Sequence, residues 1–243
     1  MDVLILLLLF AVALVAGVLS GVVGTGSSII LLPLLIALYG PRVSVPVMAI
    51  ASVMGNLGRV LAWWREIQWR PVLAYSLPGI PAAVLGAHTL LTISPRLVDY
   101  CLAAFFAAVI PLRHLAARKQ WALNWWQMAV SGALIGFLTG LIFSTGPLSV
   151  PVFTGYGLTG GAFLGSEAAS ALLLYAGKLA TFGSAGVLNE AVLARGLVIG
   201  AALLAGSLLA RRLLRSVSPR RYELLIDGIL VVAAASLLVS ALR

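Results

Sequence analysis

From Val3 to Tyr39 the chain is apolar, interrupted only by Gly, Ser, Thr and a single Pro. As one helix rising about 1.5 Å per residue, this run would be roughly 55 Å long, against a hydrocarbon core of about 30 Å. One straight span cannot absorb it. Within residues 17–33, GVLSGVVGTGSSIILLP, the helix is expected to break at Gly21, Gly24 and Gly26. A second piece would then start from Ser27 inside the membrane, with backbone N–H groups that lipid cannot satisfy. An anion satisfies them, because a helix N-terminus carries positive partial charge. The other reading of the same glycines is close helix packing, a common use of small residues in membranes.

The stretch recurs. Residues 136–151 read GFLTGLIFSTGPLSVP. Gly17, Ser20 and Gly21 match Gly136, Thr139 and Gly140, each 119 residues on. Thr25-Gly26 matches Thr145-Gly146 after a one-residue shift, and Gly58-Arg59 matches Gly177-Lys178. Ser94-Pro95-Arg96 returns as Ser218-Pro219-Arg220. A period this long is an internal duplication, not a solenoid repeat. The chain reads as one domain, 1–243, made of repeats 1–119 and 120–243, each opening with a broken or re-entrant helix.

Composition sets the class. The 243 residues are 62% hydrophobic and 9% charged, which excludes a soluble domain of this size. The fold class expected is an all-α polytopic membrane protein. The N-terminus has no basic region, since Asp2 follows Met1, so a retained first helix is expected rather than a cleaved signal peptide. A lone Cys101 excludes an internal disulfide and argues against a thiolate cluster, and two isolated histidines, His88 and His114, suggest no metal site. No cofactor is implied. The formal charge of +9 sits between apolar spans, so orientation in the bilayer explains it better than nucleic acid does.

Ten apolar elements are expected, five per repeat: roughly 2–23, 25–39, 45–65, 70–90 and 97–113, then 123–143, 147–157, 160–183, 192–211 and 219–242. Elements 25–39 and 147–157 fall short of the about 20 residues a span needs, so each is expected to pair with the element before it. Loops 65–70, 113–121 and 211–221 carry Arg65, Arg70, Arg113, Arg118, Lys119, Arg211, Arg212, Arg215, Arg220 and Arg221. The opposite side keeps Arg42, Arg96, Arg195 and Arg243, so the count is ten against four and the richer side is cytoplasmic. Trp63, Trp64, Trp69, Trp121, Trp125 and Trp126 flank two of these loops as an interfacial belt. An odd number of elements per repeat inverts the second repeat and puts both termini outside. Inverted repeats with broken helices are a transporter design in which the breaks mark the substrate site.

Two cations remain within spans, Arg59 and Lys178, at matched repeat positions. Charges there usually face a polar cavity, although long side chains also snorkel to an interface. Ser52, Asn56 and Arg59 share one helix face. Glu167, Ala171, Leu174 and Lys178 form a stripe, with Ser170 and Tyr175 beside it. Glu167 is the one acid expected deep in the membrane, either as a proton carrier or as a structural partner of Lys178 or of polar backbone. Glu223, Asp227 and Asp99 read as interfacial ion-pair partners of nearby arginines. Pro78, Pro81 and Pro111 are expected to kink their spans. No nucleophile–base motif, zinc-protease motif or P-loop occurs, so no catalytic set is expected.

These features resemble the sulfite exporter TauE/SafE family, also called toluene-sulfonate-uptake-permease-like transporters. The resemblance rests on GVLSGVVGTGSSIILLPLL followed by a helix with Asn56 and Arg59, on the WREIQWRP loop, and on the repeated SPR. The second copy adds GSEAASALLLYAGKLATFG. It implies a multi-pass carrier of the bacterial inner membrane, made of two similar halves. The implied cargo is a small sulfur-containing or carboxylate anion such as sulfite, a sulfonate or sulfoacetate, moved by secondary transport. The family's Gly-x-Gly-Gly-Gly is GTGSS in the first repeat and FSTGPLS in the second, where Phe143 and Pro147 make the breaks unequal.

The expected substrate site takes Gly24, Thr25, Gly26, Ser27 and Ser28 from the first break, and Ser144, Thr145 and Gly146 from the second. Asn56, Arg59, Ser170, Tyr175 and Lys178 complete it, with Glu167 as the candidate for proton coupling. The expected partners are a small anionic substrate and the lipid bilayer, with a homodimer left open. The alternative function is a non-transporting membrane subunit or assembly factor that shares the fold.

Overall fold

The computed structural model describes residues 3–94, 122–141 and 146–213, together with positions 97, 100 and 104. Elements 97–113 and 219–242 therefore fall largely or wholly outside the described residues. So do Arg96, Asp99, Cys101, Pro111, Arg113, His114, Arg118, Lys119 and Trp121, and Arg215, Arg220, Arg221, Glu223, Asp227 and Arg243.

All regular structure among the described residues is helical. Helix α1, Val3–Val23, stops where Gly24 and Gly26 take positive φ values of 87° and 119°, a conformation that costs glycine little. Helix α2, Ser27–Tyr39, starts at once on the other side of the break. Gly40 turns the chain into α3, Pro41–Trp63, whose first residue is a proline at a position where no N–H is needed. A 3-10 turn, Trp64–Glu66, leads into α4, Trp69–Thr92. Then come α5, Trp125–Leu141, and the short α6, Gly146–Gly155. Helix α7, Gly160–Ser184, and helix α8, Glu190–Leu213, complete the described fold.

Among the described residues, three segments are long and apolar enough to cross a membrane: Ile5–Val23, Arg42–Glu66 and Glu190–Arg212. Helices α4 and α7 are as long, with 24 and 25 residues, whereas α2 and α6 have only 13 and 10. Pro78 and Pro81 lie inside α4, which runs on through both as one helix.

Small residues set the packing. Helix α1 lies on α8, where a Cβ on Gly17 would sit 2.6 Å from the Leu203 carbonyl oxygen. Helix α4 lies on α5 just as closely, since a Cβ on Gly136 would sit 2.8 Å from the Gly79 Cα. Backbone against backbone at this distance is how membrane helices gain contact without a hydrophobic drive. It also corrects one expectation. Gly21 is not part of the break. It lies inside α1, where a Cβ would meet the Ala210 Cβ at 2.5 Å, so its role is packing. Helix α3 crosses both α8 and α7, and α2 packs on α3. This layering brings the polar faces of α3 and α7 to the break between α1 and α2.

Candidate functional site

The starts of α2 and α6 meet. A Cβ on Gly146 would overlap the Thr25 side chain, with the Thr25 Cβ at 2.8 Å. The first backbone bond of α2 runs from the Ile30 N–H to the Gly26 carbonyl at 3.0 Å, so the N–H groups of Ser27, Ser28 and Ile29 precede the helical ladder. The N-cap residue, Gly26, has no side chain with which to cap them. Beside these ends lies a cavity of about 50 Å³, room for a few waters or one small oxyanion. Gly24, Thr25, Gly26, Ser27, Ser28, Asn56, Arg59, Gly146, Glu167 and Tyr175 all line it.

Arg59 is the centre of its polar network. The residue is only 4% exposed, so its side chain does not snorkel. Its Nη1 donates to the Gly24 carbonyl and to Glu167 Oε2, the latter at 2.7 Å. Its Nη2 donates to Asn56 Oδ1. Gly24 directly follows the last residue of α1, so its carbonyl has no helical partner and Arg59 supplies one at the negative end of the helix. Glu167 is equally buried, at 4% exposure, and its other oxygen accepts from Ser149 Oγ at 2.7 Å. The helical stripe on α7 suggests Lys178 or backbone as the partner of Glu167. The ion pair is instead with Arg59, because α3 and α7 cross at the level of Glu167.

Lys178 is fully buried and does not line the cavity. Its Nζ donates to the Thr139 carbonyl at 2.8 Å and lies 5.5 Å from the centre of the Phe182 ring. Thr139 stands in the last turn of α5, where carbonyls also lack helical partners. Each cation thus serves the C-terminal end of a helix, Arg59 that of α1 and Lys178 that of α5. Ser170 is away from the cavity too, since its hydroxyl turns back to the Ser166 carbonyl at 3.0 Å. Ser144 and Thr145 lie outside the described residues.

Several lining residues fall outside the set expected from sequence. Ser20 and Thr139 both face the cavity, and their match across the repeats is the signal that points to them. Ser149 stands in the first turn of α6, one turn after Gly146, where a hydroxyl is well placed to reach a ligand or a carboxylate. Tyr75 and Phe153 form an aromatic wall, with ring centres 5.1 Å apart. Their types read as ordinary core, and nothing in the local sequence separates the two.

The arrangement can bind and orient. The cavity brings together a guanidinium, the start of α2, and the hydroxyls of Ser28, Ser52 and Tyr175, a set of donors suited to a compact oxyanion. Among the described residues no cluster of acids, histidines or cysteines could hold a metal ion. No match is found among curated proteins or among solved structures. A family model described as sulfite exporter TauE/SafE matches residues 9–237, a span that contains every cavity residue named above. The chain belongs to the sulfite exporter TauE/SafE family, whose members are membrane transporters.

Proposed function

We propose that this chain is a multi-pass secondary transporter of the bacterial inner membrane and that it binds a small anion where α2 and α6 begin. The favoured cargo is sulfur-containing, such as sulfite, a sulfonate or sulfoacetate, or else a related organic anion. The observation that carries the reading is the meeting of two short helix starts, at Ser27 and Gly146, beside the buried Arg59. Positive helix ends and a guanidinium together favour negative charge, and Arg matches the planar face of an oxyanion with paired donors. The hydroxyls around them replace part of the hydration that such an anion loses.

The inverted five-plus-five repeat belongs to the same proposal. Its support is an exchange of packing partners. Helix α1 lies on α8, while its counterpart α5 lies on α4, the counterpart of α8. Matched glycines make both contacts, Gly17 in one and Gly136 in the other.

A thermal-shift screen against sulfite, thiosulfate, sulfonates, sulfate and carboxylates tests the site, since a ligand stabilises the state it binds. Stabilisation by a sulfur oxyanion is expected, with flux of that anion into liposomes holding this chain alone. A chain stabilised by none of these anions, and silent in liposomes, would contradict the reading.

A further inference from the structure

We propose that Glu167 couples a proton to the anion: the carboxylate that neutralises Arg59 in the empty carrier takes up one proton when an anion binds. This rests on the anion-site reading above and adds a residue-level mechanism to it.

Charge balance in a small space carries the argument. Arg59 and Glu167 meet at 2.7 Å, both buried, and both line the cavity of about 50 Å³. An anion drawn to Arg59 in that volume arrives within a few ångströms of the carboxylate. At an effective dielectric of about 20, two like charges about 4 Å apart weaken binding roughly a thousandfold. Uptake of a proton by Glu167 removes that repulsion and leaves Arg59 to the anion.

The surroundings tolerate the change. In the ionised form Ser149 Oγ donates to Glu167 Oε1 at 2.7 Å. The same hydroxyl lies 3.0 Å from the Gly146 carbonyl, so it can turn its proton there and accept from a neutral Glu167. Neither protonation state leaves the serine or the acid without a partner.

Among the described residues, no other group facing Glu167 offers an equivalent compensating charge. Tyr75 from α4 and Tyr175 on α7 bring phenols. Lys178 lies three turns further along α7 and is engaged with the Thr139 carbonyl. Glu66, beside Gly161 at the start of α7, is exposed, as are Arg42, Arg70 and His88 on α3 and α4. Helices α1, α2, α5 and α6 carry no charged side chain.

The test is calorimetry of the purified chain with methanesulfonate, an anion whose own charge is constant near neutral pH. Two buffers of different ionisation enthalpy read the protons taken up per anion. The wild-type chain is expected to take up close to one proton, and its affinity to fall about tenfold per pH unit on the alkaline side. Glu167→Gln is expected to take up none and, at about pH 8, to bind at least about tenfold more tightly than the wild type. Ser149→Ala keeps the carboxylate but removes a hydrogen bond that is charge-assisted, and so stronger, when Glu167 is ionised than when it is neutral. Its uptake should persist with a midpoint at higher pH, which decides the matter if Glu167→Gln does not fold. Binding by the wild type without proton uptake, undiminished uptake in Glu167→Gln, or an unmoved midpoint in Ser149→Ala overturns the role of Glu167 and leaves the anion site standing. Absence of methanesulfonate binding in both the wild type and Glu167→Gln overturns the anion-site reading itself.

Discussion

Arg59 and Lys178 stand at matched sequence positions on α3 and α7, and each donates to a carbonyl at the C-terminal end of a helix, Gly24 after α1 or Thr139 in α5. Their surroundings differ. Arg59 has Ser52, Gly55 and Asn56 on its side of α3, and these leave open space and polar partners. The corresponding positions on α7 hold Ala171, Leu174 and Tyr175, and Lys178 is sealed away behind them at 0% exposure. The acid is unequal as well. Glu167 lies on α7, and its counterpart on α3 is Met48, a core residue. The same capping contact, made at two matched sequence positions, is therefore a cavity-facing ion pair at Arg59 and a buried strut at Lys178. Sequence equivalence between repeats identifies the shared structural task. It does not locate the site.

The largest expected effect tests this contrast directly. Arg59→Met strands the Glu167 carboxylate in the interior and should cost about 3–5 kcal/mol of stability. Adding Glu167→Gln should return much of that loss without restoring anion binding, because the cation is still missing. Lys178→Met should cost less, about 1–3 kcal/mol, as it removes the ammonium donor from the Thr139 carbonyl. Denaturant unfolding in detergent reads all three. Equal losses for Arg59→Met and Lys178→Met would break the comparison and make Lys178 a charge partner of similar weight. Arg59→Lys refines it further. It keeps the charge but loses the planar fork, so affinity should fall by about tenfold or more while the fold holds.

The helix ends that the two cations serve differ in the same sense. Gly26 takes a φ of 119°, which side chains rarely adopt, so Gly26→Ala should cost about 1–3 kcal/mol. It should also distort the N–H groups at the start of α2 and weaken anion binding. Gly140 follows Thr139, and there a Cβ would meet the Ala87 N at 2.6 Å and the Gly86 Cα at 2.8 Å. Gly140→Ala should therefore push α5 from α4 and destabilise by a similar amount, with a smaller change in the affinity of the folded fraction. Calorimetry on monodisperse protein separates the two. Equal affinity losses would mean that the α4–α5 contact shapes the cavity as much as the break does.

Much of this architecture is legible in the sequence. The lengths of the apolar runs, set against a hydrocarbon thickness of about 30 Å, locate the helices, and the matched sequence positions point to Arg59 and Lys178. Glycine is harder to read, because packing and bending use the same residue. Only the approach of α8 to Gly21, against the positive φ of Gly24 and Gly26, divides the motif into its two jobs. The partner of Glu167 is not legible either. On one helix the sequence offers Lys178 three turns away, whereas the actual partner stands 108 residues earlier in the chain, brought near by the crossing of α3 and α7. Contacts of that kind are set by tertiary packing, which local periodicity does not encode. Ser149 and Tyr75 escape for the same reason.

The smallest expected effect concerns Tyr175, the counterpart of Asn56. Asn56 serves its own half by accepting from Arg59. Tyr175 reaches across to the other half, where its hydroxyl lies beside Ser28 at the start of α2 and Ser52 on α3. Tyr175→Phe keeps the ring and its packing but removes one hydroxyl from the cavity wall. A neutral hydrogen bond contributes about 0.5–1.5 kcal/mol, so anion affinity should fall between about twofold and tenfold, with little change in unfolding. The loss should be independent of pH, since the phenol stays neutral across the range in which a carboxylate titrates. A pH-dependent loss would tie Tyr175 to the charge state of Glu167 instead and make it part of the coupling. No loss at all would place the bound anion on the Arg59 and Ser149 side of the cavity, away from α7's tyrosine, and would make the two halves of the site even less alike than their sequences.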